Sequence, residues 1–220
     1  MIQLTPTEAR ALGTLIEKAA TTPGQYPLTL NALVVGCNQK NNRDPVTNYD
    51  EDTAFDALDS LRRKLLASEV HLSNSRVPKF RHNAAATMEV SAGELAILAE
   101  LWLRGPQSAG ELRSNAQRMT PIPTLEACLA MLDSLAGKPE PLVERLPRRP
   151  GERAERWAQR MAPYEAGAGE AAGIEPGRGE AASGSPPSAG GAAESLLRRV
   201  DRLETEIAEL REVIRQLQGG

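Results

Sequence analysis

Residues 91–113, SAGELAILAELWLRGPQSAGELR, decide the fold of this chain because they contain one helix-start signal twice. The tetrapeptide SAGE opens the stretch and returns at Ser108, with serine three residues before glutamate, which is the spacing of a capping box at a helix N-terminus. Gly105-Pro106 ends the first helix. The stretch therefore predicts a helix over about 92–104 and a shorter one over about 109–117.

The residues after this stretch predict a third helix and a hairpin. Thr124 caps the helix, and alternating residues over 142–146 and 154–158 predict two strands that flank a basic turn. Three helices followed by a two-stranded hairpin is the plan of a winged-helix domain. The residues predicted to be buried on the third helix are Leu125, Cys128, Leu129, Leu132 and Leu135.

The same order of signals occurs earlier in the chain. Thr5-Pro6-Thr7-Glu8 is a capping box with proline at the first helical position, and Thr29 and Asp50 begin two further helices. Alternation over 69–73 and 77–81 predicts a second hairpin. The apolar residues predicted to be buried on these helices are Leu12, Leu15, Ile16, Ala19, Leu30, Leu33, Val34, Cys37, Ala54, Ala57, Leu58, Leu61 and Leu65.

These signals divide the chain into four predicted parts. Residues 1–88 and 89–162 form two tandem winged-helix domains, so the fold class is mainly α with small β-hairpins (α+β). Residues 163–193 are rich in Gly, Ala, Glu, Pro and Ser without apolar periodicity, which is typical of a flexible, disordered linker. Residues 194–218 form a C-terminal coiled-coil helix.

The coiled-coil prediction depends on a heptad pattern. Apolar residues alternate at spacings of four and three, with β-branched residues at a and leucine at d, which favours a parallel two-stranded coil and hence a homodimer. The alternative is an amphipathic helix that packs on the globular part of its own chain. The residues predicted to mediate dimerisation are Leu196, Val200, Leu203, Ile207, Leu210, Ile214 and Leu217.

The composition excludes several classes of protein. With 26 Lys+Arg and 29 Asp+Glu the net charge is −3, which does not fit a strong sequence-independent DNA binder. Cys37 and Cys128 fall in different domains and have neither disulfide-framework nor zinc-site spacing. Neither a signal peptide nor an apolar run of ~18–20 residues is present, so we expect a cytoplasmic protein with no membrane partner.

The third helices of the two domains argue against base readout. In a winged helix this element usually enters the major groove. Here the outward positions carry Asp52, Asp56 and Asp59 in the first domain and Glu126 and Asp133 in the second. These carboxylates would repel DNA phosphates.

The predicted wings and the loop after the second helix are the basic surfaces. If DNA is bound, these surfaces carry the contacts; otherwise the wing arginines are solvated, and Arg43 pairs with Asp44 or Glu51. The residues predicted to contact nucleic acid or a protein partner are Lys40, Asn42, Arg43, Arg76, Lys79, Arg81, Arg148, Arg149, Arg153 and Arg156.

Catalytic chemistry is not expected. Both cysteines are predicted to be buried, whereas His71 and His82 lie on the first wing, so no cysteine–histidine pair forms. The run Asp50-Glu51-Asp52 could hold Mg²⁺, but acidic residues at a helix start explain it more simply. We therefore predict no catalytic, cofactor-binding or metal-binding residues.

Four stretches resemble the YceH family of uncharacterised bacterial proteins. They are CNQKNNRDPV at 37–46, RVPKF at 76–80, LRGPQSAGELR at 103–113, and Pro150-Gly151 with Arg153, Glu155 and Arg156. The resemblance covers nearly all of residues 1–161 and implies a tandem winged-helix fold with no established activity. The second wing departs from the family, which tends to end it with an aromatic residue, any residue and histidine, because this chain has Trp157-Ala158-Gln159 there.

Two functions remain open at this stage. One is a non-enzymatic, DNA-associated role resembling that of a transcription regulator, with duplex DNA held by the basic wings. The other is a protein–protein interaction scaffold that uses the winged-helix surfaces and makes no direct contact with nucleic acid. A continuous basic stripe across both wings would favour DNA, and an exposed apolar groove would favour a protein partner.

Overall fold

Helices and small antiparallel sheets alternate along the chain in a computed structural model that describes residues 2–71, 77–148 and 154–164. This described part is a mixed α/β structure with seven α-helices. The helices are α1 (Pro6–Thr21), α2 (Leu30–Cys37), α3 (Glu51–Arg63), α4 (Ala84–Met88), α5 (Ala92–Arg104), α6 (Ala109–Ala116) and α7 (Leu125–Ala136). The strands are β1 (Ala67–Val70), β2 (Lys79–His82), β3 (Gln107–Ser108), β4 (Val143–Leu146) and β5 (Arg156–Gln159).

The three predicted capping boxes begin α1, α5 and α6, and all three are confirmed. In each box the glutamate side chain accepts a hydrogen bond from the backbone N–H of the capping residue, with N–O distances of 2.8 Å at Thr5, Ser91 and Ser108. Thr29, Asp50 and Thr124 cap α2, α3 and α7 with their side chains. Local side-chain chemistry therefore sets where six of the helices begin.

The strands form two antiparallel sheets. Strands β1 and β2 pair in one, and the other has the order β3-β5-β4. The ends of the observed strands lie within three residues of the predicted ones. The sequence analysis also missed β3, because a two-residue strand is too short to show alternation.

Two predicted core positions are exposed, and four others, Ala19, Leu30, Val34 and Leu129, are only partly buried. Helix α3 ends at Arg63, and Leu65, in the left-handed conformation with φ of 61°, is 69% exposed. Leu66 is buried in its place, because the helical period no longer applies beyond the helix end. Leu125, the first residue of α7, is 41% exposed.

Helix α1 joins the first half (residues 2–88) to the second half (residues 89–164). Every residue from Glu8 to Glu17 is buried, because α1 packs on its own half and on α5. The helices approach closely at Gly13, where a Cβ atom would lie 3.0 Å from Cγ of Leu103. The apolar core is consequently continuous across both halves.

Several predictions lie outside the described residues. These are the coiled coil with Leu196 to Leu217, the linker from residue 165 onward, and Arg76, Arg149 and Arg153 of the wings. The four-part organisation of the chain likewise stays a prediction.

Candidate partner-binding surfaces

Arg43, a predicted contact residue, is buried in the structure with 6% of its surface exposed. Its guanidinium makes two hydrogen bonds to the Glu17 carboxylate, Nη1 to Oε1 at 3.2 Å and Nη2 to Oε2 at 2.5 Å. It also donates to the carbonyl oxygen of Gly36. Arg43 therefore does not face a partner, and the alternative that it pairs with a carboxylate fits the structure, although that carboxylate is Glu17 rather than Asp44 or Glu51.

Glu17 and Arg43 belong to a charge network that crosses between the halves. Arg118, which follows α6, pairs with Glu17 and also with Glu100 of α5, where Nη2 and Oε1 lie 2.5 Å apart. Both glutamates are fully buried. Sequence reasoning missed this network because Glu17 and Arg118 are 101 residues apart and no local pattern links them.

The two glutamates have opposite pKa shifts. Burial would raise the pKa of Glu17, but hydrogen bonds and charges from Arg43 and Arg118 outweigh it and lower the pKa to about 2. Burial raises the pKa of Glu100, and Arg118 only partly offsets that effect. Among the residues that the structure describes, its Oε2 atom finds no hydrogen-bond partner. The network thus connects the two halves, and its two glutamates differ in how strongly their negative charge is stabilised.

Two other predicted contact residues, Lys40 and Asn42, line an open polar cleft of about 700 Å³ between the halves. Arg104 donates to the Asn42 side chain at 3.3 Å. Lys40 is exposed, while Asp44 and Glu111 line the same cleft and offset its positive charge. The cleft is therefore polar without being strongly basic.

Ion pairs neutralise much of the second hairpin. Arg145 lies between Asp133 at 3.6 Å and Glu155 at 3.3 Å, and its guanidinium stacks 4.8 Å from the Trp157 ring centroid. Arg160 pairs with Glu144 on the neighbouring strand at 3.7 Å. These pairs interrupt any basic stripe on the described part of this hairpin.

The remaining predicted wing residues lie in different environments. Arg81 is exposed and donates to Ser68 at 3.1 Å. Lys79 and Arg156 are half-buried, and Arg148 is exposed. The first hairpin therefore presents Arg81, and the described part of the second presents Arg148, as exposed predicted contacts.

The outer face of α3 is acidic and includes one exposed aromatic side chain. Asp50 caps the helix by accepting from the Thr53 N–H at 2.8 Å, and Glu51, Asp52 and Asp56 are exposed. Phe55 lies among them with 48% of its surface exposed. We call these four exposed residues, Glu51, Asp52, Phe55 and Asp56, the α3 face. The sequence alone does not distinguish Phe55 from a core residue, because its exposure depends on how α3 packs.

The nucleophilic and metal-ligating side chains are dispersed. Burial raises the pKa of both thiols, and the Cys37 sulfur contacts the Thr14 hydroxyl at 3.6 Å. Burial also lowers the pKa of His82. Over residues 2–71, 77–148 and 154–164, His, Cys, Asp and Glu side chains do not assemble in threes at a possible metal site. The helices in those ranges are too short or too polar to cross a bilayer.

Comparison with known proteins places the chain among bacterial relatives. A family described as "Protein of unknown function, DUF480" matches residues 4–152. A UPF0502 protein of Geotalea daltonii is 50% identical over 161 residues, covering 73% of each chain. Two further relatives are similar over a greater length. A UPF0502 protein of Burkholderia orbicola is 43% identical over 215 residues, which cover 98% of this chain and 88% of the relative. A UPF0502 protein of Burkholderia pseudomallei is 44% identical over 216 residues, which cover 96% of this chain and 86% of the relative.

Proposed function

We propose a function for this chain, which belongs to the DUF480 (UPF0502) family, from the surfaces described above. It is a non-enzymatic protein–protein interaction module built from two winged-helix domains. The order of three helices and an antiparallel hairpin in each half supports the winged-helix assignment.

The α3 face carries this proposal. It occupies the position that a DNA-reading winged helix would insert into the major groove, yet its exposed charges at Glu51, Asp52 and Asp56 are negative. Such a face repels phosphates but attracts basic protein surfaces. Phe55 at its centre supplies the kind of exposed aromatic side chain that anchors protein interfaces. The partner is thus a basic protein segment with an apolar pocket for one ring.

Duplex DNA is the second candidate, and a separate observation favours it. Lys79, Arg81 and Arg148 lie on the two hairpins and form no ion pair within the described ranges. Cations without carboxylate partners are free to contact phosphates. In this case the hairpins would carry the contacts and α3 would face away from the duplex.

Site-specific photo-crosslinking in cells tests the first proposal. A photoreactive phenylalanine at position 55 should give one dominant protein adduct, which should be lost when Asp52→Lys and Asp56→Lys are added. The same probe at Ser114, an exposed position on α6, is the matched control. Equal adducts at both positions, or an adduct that survives the charge reversals, would contradict the role of the α3 face.

A salt titration of binding to random duplex DNA tests the second candidate. Each phosphate contact contributes a slope of about −0.9 to the dependence of log affinity on log salt. A steep slope that becomes shallower in the Arg81→Gln, Arg148→Gln variant would establish the hairpins as DNA contacts. The absence of binding at low salt by the folded protein would remove DNA as a partner.

A further inference from the structure

A small cavity lies between α1, the loop after α2, α5 and the segment around Tyr164. Its volume is about 40 Å³. A water molecule needs roughly 10–15 Å³ measured in this way, so the cavity has room for about three heavy atoms. It includes no residue of the α3 face, and it shares only Asp44 with the polar cleft between the halves.

Two residues that line this cavity each carry a buried donor atom without a hydrogen-bond partner in the described part of the chain. Arg10 is 3% exposed; its Nη2 donates to the Pro45 carbonyl oxygen at 2.7 Å, but its Nη1 is without a partner there. Trp102 is 6% exposed, and the same holds for its indole Nε1. In native proteins buried donors are nearly always satisfied, so each of these two atoms requires an acceptor.

The positive charge of Arg10 favours one kind of acceptor over another. A guanidinium remains protonated in proteins, and Arg10 forms no ion pair with any carboxylate in the described part of the chain. Burial and the neighbouring charge of Arg43 lower its pKa, and the nearby carboxylate of Asp44 offsets these two effects only in part. Water would satisfy the hydrogen bonds but leave the charge, whereas an anion compensates both.

We propose that this cavity binds the carboxylate group of a small monocarboxylic acid, with Arg10 and Trp102 as its hydrogen-bond donors. A carboxylate has three heavy atoms and so matches the available volume. The cavity is open on one side, so a short carbon stem would extend out of it past the apolar residues Pro6, Pro45, Leu101 and Pro163. Asp44, which is exposed and also lines the cavity, disfavours a doubly charged ligand such as phosphate. This ligand site goes beyond the protein-interaction function proposed above.

Titration of the full chain with sodium propionate tests the proposal, with sodium chloride at equal ionic strength as the reference. The chain contains two tryptophans, so a Trp157→Phe background makes Trp102 the only fluorescent indole. Propionate should change the Trp102 emission saturably and should raise the melting temperature in proportion to the logarithm of its concentration above the Kd. Chloride and phosphate should do neither.

Two variants connect the response to the proposed donors. Arg10→Met should abolish the rise in melting temperature, whereas Arg145→Met, which removes an exposed arginine, should retain it. Trp102→Phe removes the indole N–H together with part of the ring system, and the loss of that hydrogen bond should weaken binding by about tenfold. It tests the site even if Arg10→Met does not fold. Equal responses to chloride and propionate, a stronger response to phosphate, no response to propionate, or an undiminished response in either cavity variant would overturn the proposal.

Discussion

Glu17 on α1 and Glu100 on α5 occupy comparable places in the two halves but differ in charge environment. Each lies on the first helix of its half, each is fully buried, and each binds Arg118. Glu17 also binds Arg43, and its pKa falls to about 2, whereas Glu100 has one unpartnered oxygen and a raised pKa. The number of cations in contact, rather than the depth of burial, decides the sign of the shift.

The largest expected effect comes from Glu17→Gln. Removing this carboxylate leaves Arg43 buried without a counter-charge, and breaking a buried pair in this way typically costs about 3–5 kcal/mol. Urea unfolding at neutral pH measures the loss in free energy of unfolding. Glu51→Gln, at an exposed glutamate on α3, is the matched control and should change little. A loss below about 1 kcal/mol for Glu17→Gln lies within the range of surface ion pairs and would contradict the proposed difference between Glu17 and Glu100.

The pH dependence of stability should show the same asymmetry. The pKa of Glu17 falls from 4.5 to about 2 on folding, so its stabilising contribution is complete above pH 4.5 and is lost as the pH falls towards 2. The shift corresponds to about 3 kcal/mol. Urea unfolding at a series of pH values, with wild type and Glu17→Gln compared, isolates this contribution from other acidic groups. Parallel curves between pH 5 and pH 2 would contradict it.

Glu100→Gln should cost much less, about 1 kcal/mol at neutral pH. Because the folded-state pKa of Glu100 is raised, its contribution is present below the unfolded pKa and is lost as the pH rises through the folded value. A neutral glutamine avoids that loss and still offers an oxygen to Arg118. Chemical denaturation at pH 7 checks the value, and a loss as large as that of Glu17→Gln would make the two glutamates equivalent.

Lys18→Gln should have the smallest effect, about 0–0.5 kcal/mol. Its ammonium group lies 3.6 Å from Glu17 but is partly exposed, so solvent screens the attraction. A thermal-unfolding comparison with wild type measures it. A loss of more than about 1 kcal/mol, above the surface range, would show that Glu17 depends on three cations rather than two.

The sequence predicts those features of the fold that depend on side chains a few residues apart. The capping boxes at Thr5, Ser91 and Ser108 act over three residues, so the helix starts could be predicted. Leu65 was misplaced because the helical period was continued past the end of α3. The local sequence left open whether Arg43 faces a partner or pairs with a carboxylate, because Glu17 lies 26 residues earlier and only the packing of α1 brings the two together.

The exposed surfaces were less predictable for a different reason. The acidic character of α3 follows from its sequence, but the exposure of Phe55 depends on which face of that helix the rest of the core covers. Likewise, the carboxylates that neutralise Arg145 come from α7 and from the residue before β5. Pairing between elements therefore determines which basic residues stay available to a partner.

The Glu17–Arg118 contact has a consequence for the order of folding during synthesis. At roughly 5–20 residues per second, about 5–20 seconds separate the addition of Glu17 from that of Arg118. Once Arg43 has been added, α1 has one arginine partner, but it still lacks Arg118 and, until residues 92–104 follow, the α5 surface that buries its far side. A nascent first half thus presents an uncovered helix to the ribosome surface and to chaperones, and its final structure forms only after α6 has left the exit tunnel.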